Sequence, residues 1–272
     1  NTTGATNTAL GHTAMNQNTT GANNAAMGAS ALANNTTASN NTAVGVSALF
    51  SNTTGTANVA LGAFALDANT TASDITAIGY SALGANTTGS DNSAFGSSAL
   101  TSNTTGSGNT AVGRIALDAN TTGIHNTAVG YDALGVNTTG QLNTSVGYES
   151  LAANTTASSN QAFGRRALYA NTTGTENNNT TANNNTGIGH DAGGQITTGV
   201  NNVAVGYDSA DALTTGSKNI CVGKQSKPNS ASGTGQIVIG TDLTGAGDNT
   251  TAFGQTAVGR VYNSYATNAS WT

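Results

Sequence analysis

The chain of 272 residues is only 7% charged and 5% aromatic, carries a formal net charge of −5, and has seven Lys and Arg residues in all. Cations this few and scattered leave no basic face for a phosphate backbone, and no apolar run approaches membrane-spanning length, so neither nucleic-acid binding nor membrane insertion is expected. The single cysteine, Cys221, stands where most copies of a repeat have Ala, which predicts a small buried filler and takes disulfides out of consideration.

Asn, Thr, Gly and Ser dominate the composition, and the 36% apolar fraction is carried largely by Ala. In an aperiodic chain that would suggest disorder, but strict periodicity points the other way. Asn-Thr-Thr begins at Asn1, Asn18, Asn35, Asn52, Asn69, Asn86, Asn103, Asn120, Asn137, Asn154 and Asn171, always seventeen residues apart. A fixed period without drift implies one structural unit stacked on itself. The copy Asn103 to Ala119, NTTGSGNTAVGRIALDA, serves as the reference, with Asn103 as position 1.

Position 10 is Leu10, Met27, Val44, Leu61, Ile78, Phe95, Val112, Val129, Val146 and Phe163, and position 11 is Gly in each of these copies. Position 15 is Met15 and then Leu from Leu32 to Leu168. These are two large apolar columns, and Val112 and Leu117 are expected in the core. Positions 9 and 14 are Ala or Ser, as at Ala111 and Ala116, which suits the close approach of another backbone from a neighbouring coil or chain. Short apolar runs bounded by Asn, Thr and Gly predict an all-β fold, a parallel β-solenoid in which each coil holds two short strands joined by two turns. Gly at position 11 permits positive φ, while Asn at positions 1 and 7 tolerates the left-handed region and, stacked in register, forms side-chain ladders.

After Asn171 the pattern changes. An eight-residue insertion with an Asn-rich run from Asn177 to Asn179 delays the next unit to Asn179, after which starts fall at Ile196, Leu213 and Ser230. The Gly240 to Gly254 spacing then shortens to fourteen, and Pro228, the only proline, falls in a turn. The chain thus divides into regular repeats over 1–170, irregular repeats over 171–258, and an aromatic tail over 259–272 with Tyr262, Tyr265 and Trp271. Asn1 already opens a copy, so the chain is expected to be a piece of a longer polypeptide. Each coil is poor in large apolar residues, which predicts a second interface: a homotrimer that buries the Ala columns, in a rod about 70 Å long.

Chemistry-bearing residues are sparse. Asp91, Asp118, Asp132 and Glu149 are taken as falling at different phases of the repeat, so no shared catalytic groove, cofactor or metal site is predicted. Gly187 to Ala192 spells the dinucleotide fingerprint G-x-G-x-x-A but reads as an ordinary strand end, and the adjacent His190 and Asp191 read as an exposed turn pair. Position 12 is the best recognition column because it varies among constant neighbours, with His12, Tyr80, Arg114, Tyr131, Tyr148, Arg165, His190, Tyr207 and Lys224. Of these, Tyr80, Arg114, Tyr131, Tyr148, Arg165 and Tyr207 are the candidate receptor contacts. Asn-Thr-Thr is also the N-glycosylation acceptor pattern, so Asn18, Asn35, Asn52, Asn69, Asn86, Asn103, Asn120, Asn137, Asn154 and Asn171 are candidate acceptors in a secreted protein, against a simpler role as ladder residues. The same pattern recurs at Asn179 and Asn249.

The run Asn202-Val203-Ala204-Val205-Gly206, with the fourteen-residue spacing, resembles the head repeats of trimeric autotransporter adhesins, and NTAVGYDAL followed by NTTG is similar to repeats of long phage tail fibres. The closing VYNSYATNASWT resembles the stretch such fibres show before an endosialidase-type intramolecular chaperone domain. The resemblance implies a left-handed β-roll, three chains side by side, and a non-enzymatic virion tail fibre that contacts a host surface glycan or protein. A cellular adhesin or other extracellular fibre is the alternative; an ice-binding solenoid and a polysaccharide depolymerase are more distant rivals.

Overall fold

A computed structural model describes residues 2–172, 184–255 and 259–264. The insertion around Asn177 to Asn179, and Tyr265 and Trp271 of the tail, lie outside them. The chain is a parallel β-solenoid without helices among these residues, and packs as two compact units, Asn1–Thr139 and Gly140–Thr272. The first unit holds β1 (Thr8–Leu10), β2 (Ala25–Met27), β3 (Thr42–Val44), β4 (Val59–Leu61), β5 (Thr76–Ile78), β6 (Ser93–Phe95), β7 (Thr110–Val112) and β8 (Thr127–Val129). Each pairs with the next in parallel at a seventeen-residue offset, as in Thr110↔Thr127.

The second unit holds β9 (Thr144–Val146), β10 (Gln161–Phe163), β11 (Thr186–Ile188), β12 (Val203–Val205), β13 (Ile220–Val222), β14 (Ile237–Thr241), β15 (Thr250–Gln255) and β16 (Gly259–Ser264). Here Gln161 pairs with Thr186 twenty-five residues on, so the eight extra residues leave the ladder register intact. The fourteen-residue coil is equally regular, with Gly240 paired to Gly254. Only β16 runs antiparallel, against β15.

Each coil has one strand of three residues at positions 8 to 10 in most copies, not the two strands expected. The rest of the coil cannot stay extended because positions 6, 13 and 15 take left-handed φ in nearly every copy, for example Gly108, Ile115 and Leu117 at 68°, 52° and 56°. The Asn residues at positions 1 and 7 do not take that conformation, which corrects the turn assignment made for them. Leu at position 15 does so throughout, with Met15 and the Leu residues from Leu32 to Leu168 at φ between 50° and 56°. That backbone costs a Leu about 1–2 kcal/mol, and full burial of its side chain offsets it. Gly at position 11 has φ between 122° and 156°, and a Cβ there would collide with the backbone of the corresponding glycine one coil on.

The core is also differently composed. Alternation along the strand turns position 9 inward and positions 8 and 10 outward. Ala111, Ala116 and Leu117 are fully buried, whereas Val112 is 37% exposed and Leu10, at the same position, 62%. The position 10 column therefore lies on the outer face, and the Ala columns expected to meet other chains are already sealed within their own coils. The interior of a coil admits one large side chain. Where position 15 becomes Gly193 or Ala210, the large residue moves to position 1 as Ile196 or Leu213, each fully buried. A Cβ built on Gly193 would press on Leu168 and Ile196, so the exchange is one of volume. A paired change of another kind occurs in the coil that starts at Asn137, where positions 9 and 14 are both Ser and the Ser145 hydroxyl donates to the Ser150 carbonyl at 2.8 Å.

Two Asn side chains complete each interior. At position 1, Asn103 Nδ2 donates to Asn86 Oδ1 at 2.8 Å and to its own coil's Gly106 carbonyl at 2.9 Å. At position 7, Asn109 Oδ1 accepts from the Asn126 amide at 3.0 Å, and its Nδ2 donates to the Gly123 carbonyl at 2.9 Å. The expected ladders thus exist, with every Asn in them at most 2% exposed. Ile75 interrupts the position 7 ladder, and Asn92 covers for it by donating to both Gly89 and Gly106 carbonyls, at 3.1 and 2.7 Å.

Asn109→Ala removes the partner of the buried Asn126 amide and one donor to Gly123, and is expected to destabilise the chain by about 2–4 kcal/mol. Ile75→Asn, which restores the ladder at its one gap in the first unit, is expected to be neutral or stabilising; denaturant midpoints for the two variants check the contrast.

Candidate functional site

Position 12 follows the fixed Gly and opens the turn that returns the chain to the interior, so its side chain projects from a held backbone. The structure keeps Tyr80, Arg114, Tyr131, Tyr148, Arg165 and Tyr207 exposed, with Tyr80 and Tyr207 at 57% and 49%. In the first unit the Arg114 guanidinium lies over the Tyr131 ring, 5.7 Å from its centre, and Tyr80 packs edge-on against Phe64 of position 13. In the second unit the column is continuous. Arg165 lies over Tyr148 at 5.8 Å and comes within 2.8 Å of His190 Nε2, and the His190 ring stacks on Tyr207 at 5.2 Å. Each member holds its neighbour, so the column presents flat π faces and guanidinium planes that are already ordered.

Beside it runs a second column that the sequence reading did not single out. Asp132 and Glu149 both occupy position 13, which corrects their assignment to different phases, and Arg166, Asp191, Asp208, Gln225 and Asp242 continue the series. The signal was present: position 13 is neutral from Thr13 to Ile115 and turns charged from Asp132 onward. Arg166 Nε lies 3.7 Å from Glu149 Oε2 and 3.9 Å from Asp191 Oδ1, and its guanidinium covers the Tyr169 ring at 4.3 Å. Together with Gly194, Gln195, Asp208 and Asp211, the residues Arg166, Tyr169 and Asp191 line a shallow cleft. Tyr169 and Asp211 enter from position 16, so three phases of the repeat build the patch.

His190, Asp191 and Asp208 bring their ligating atoms within 4.8 Å of one another. His190 Nδ1 is 2.9 Å from Asp191 Oδ2, and Arg166 lies beside Asp191. A hydrogen bond accounts for that approach, and two guanidiniums at the same spot oppose a cation, so the group reads as a polar turn cluster. The fingerprint Gly187 to Ala192 falls on the end of β11 and the turn after it, with no helix to receive a pyrophosphate.

The Asn-Thr-Thr asparagines lie on the opposite side of this chemistry. Asn18, Asn35, Asn52, Asn69, Asn86, Asn103, Asn120, Asn137, Asn154 and Asn171 are 0–2% exposed, and Asn120 Nδ2, for example, donates to Asn103 Oδ1 at 2.8 Å. A folded coil has no room for a glycan on that nitrogen, so the geometry favours the ladder role. The neighbouring Thr at position 2 serves the ladder too, Thr104 Oγ1 donating to the Thr121 carbonyl at 3.1 Å.

Burial also sets the chemistry of Cys221, which is fully enclosed and whose thiol is pushed up to about 12, chiefly by desolvation and then by Asp211. A thiolate nucleophile is thereby excluded at neutral pH. Asp118 is held above its ordinary value of 3.8 by burial first and by Asp132 second. Comparison with protein-family models, with curated proteins and with solved structures finds no match. No helix among the described residues is long and apolar enough to cross a membrane.

The ionised form of Asp118 is disfavoured in the fold, so its penalty is present at neutral pH and is relieved as pH falls through the raised value toward 3.8. Asp118→Asn is expected to raise the melting temperature at neutral pH by a small amount, under about 1 kcal/mol after solvent screening, and to leave stability unchanged near the ordinary carboxylate range. Melting curves at both pH values check the difference.

Proposed function

We propose that this chain is a non-enzymatic segment of a homotrimeric host-attachment fibre, of the phage tail-fibre kind. The observation that carries the reading is the outer strand face. Position 10 places a column of large apolar side chains outside, with Leu10, Met27, Leu61, Phe95 and Val112 in the first unit and Phe163, Ile188, Ile239 and Phe253 in the second. A monomer exposing an apolar column on every coil is expected to cover it. Three parallel copies cover it at the same height in each chain, because the parallel ladder repeats at one strand spacing, about 4.8 Å, in all of them. This replaces the earlier basis for a trimer, since the Ala columns are occupied within each coil. Resemblance of the repeats and of the tail to phage fibres supports the tail-fibre assignment over a cellular adhesin; localisation to the virion tail follows from that assignment.

Attachment is assigned to the position 12 columns. Tyr and Arg side chains that stack on one another from rigid turns suit the faces of sugar rings or a protein surface. In contrast to the strand face, these columns are charged and amphipathic, so they are free for an external ligand when the apolar column is covered.

Light scattering after size exclusion is expected to report a trimer for the native protein, and a Phe95→Asp, Val112→Asp double variant is expected to run as a monomer with its β-sheet circular dichroism retained. A monomeric native protein at micromolar concentration would sink the trimer. Separately, Tyr131→Ala with Tyr148→Ala is expected to weaken attachment to host cells about 10-fold, or about 1.4 kcal/mol, without lowering the melting temperature; unchanged attachment would return both residues to a solvated rim.

A further inference from the structure

His190 sits at the junction of the two turn columns, and its hydrogen bonds define its protonation. Nε2 is 2.8 Å from Arg165 Nη1, and Nδ1 is 2.9 Å from Asp191 Oδ2. Arg165 only donates and Asp191, ionised, only accepts. A single arrangement satisfies both contacts: a neutral ring with its proton on Nδ1, donating to Asp191, and a bare Nε2 accepting from Arg165. An imidazolium would set an N–H against an N–H at that 2.8 Å separation and bring two cations together.

We propose that His190 is a pH-operated latch on the attachment face of the second unit, closed when the ring is neutral and opened when it is protonated. The proposal rests on the assignment of position 12 as that face. On protonation at Nε2 the ring keeps its bond to Asp191, which gains strength as an ion pair, and Arg165 is the partner expelled. Arg165 is also the cation over Tyr148, so its departure uncovers that ring and divides the continuous column Tyr148, Arg165, His190, Tyr207 into two parts. The surroundings set the direction of the change. From the preceding coil, Arg165 and Arg166 oppose the second proton; from its own coil Asp191 favours it, and from the following coil Asp208 lies within 4.8 Å while Tyr207 supplies an uncharged face. Glu149, reached through Arg166, adds a more distant acid. Because Asp191 holds the ring in both states, protonation moves Arg165 and leaves the turn in place.

The latch is tested on the native protein by nuclear magnetic resonance. At pH values where the ring is neutral, His190 is expected as the Nδ1–H tautomer; on acidification the ring signals of Tyr148 are expected to shift with the same midpoint as His190 Cε1–H. His190→Gln, whose amide oxygen accepts from Arg165 at every pH, is expected to abolish that shift of Tyr148 and leave the melting temperature unchanged. An Nε2–H tautomer, or Tyr148 signals that move identically in His190→Gln, would overturn the latch. Cell attachment measured across the same pH range separates the two readings. Attachment lost on acidification with the His190 midpoint, and retained in His190→Gln, supports latch and face together. A correct tautomer and shift with pH-independent attachment overturns the latch as a control on attachment, while the tyrosine variants report on the face itself.

Discussion

Every coil depends on satisfying a buried carbonyl at position 4. That group points into an interior walled by Ala and Leu, where an unmet acceptor costs about 1–3 kcal/mol. Asn is the side chain that can donate to it while its own oxygen accepts from the next coil, and the fold supplies two such side chains from opposite sides. Gly106, for instance, receives Asn103 from its own coil and Asn92 from the coil before. The ladder therefore links coils through the interior at the same places where the backbone links them outside. Compositional bias toward Asn is a consequence of that geometry, and so is the near absence of other polar types from the core.

The same narrow interior limits how large its apolar contents can be. Leu117 fills the coil from a left-handed backbone, an arrangement chosen for where it sends the side chain and not for local preference. Ile196 fills a later coil from position 1, and Gly193 makes room for it. Loss of the Asn-Thr-Thr tag in that region is a repacking of one cavity, not the decay of the repeat.

The period, the parallel arrangement, the positive φ of Gly113 and the Asn ladders were legible in the sequence because each rests on a residue type with few other uses at that spacing. The position of Val112 was not, because two apolar columns of equal size look alike until strand alternation assigns one of them outward. Nor was the single strand per coil: a left-handed Leu117 leaves no trace in composition, whereas position 6 does, with Asn23, Asn40, Asp74, Asp91 and Gly108 there. At the surface, position 12 stood out through its variability. Position 13 escaped notice because its charges of both signs, Glu149, Arg166 and Asp191, resemble an ordinary solvated face until the coils are laid on one another.

Almost every hydrogen bond between coils joins residues seventeen apart in sequence, and the ladder passes the eight-residue insertion at Gln161 and Thr186 without losing register. Order can therefore propagate from one formed coil to the next, each acting as a template for its successor, with no distant part of the chain required to arrive first. A gene encoding such a chain can gain or lose whole periods by duplication or deletion, and the product remains foldable at each length. Extra residues between coils are accepted by the same logic, provided they enter and leave at one point of the ladder. Length, on this fold, is a heritable variable separable from stability.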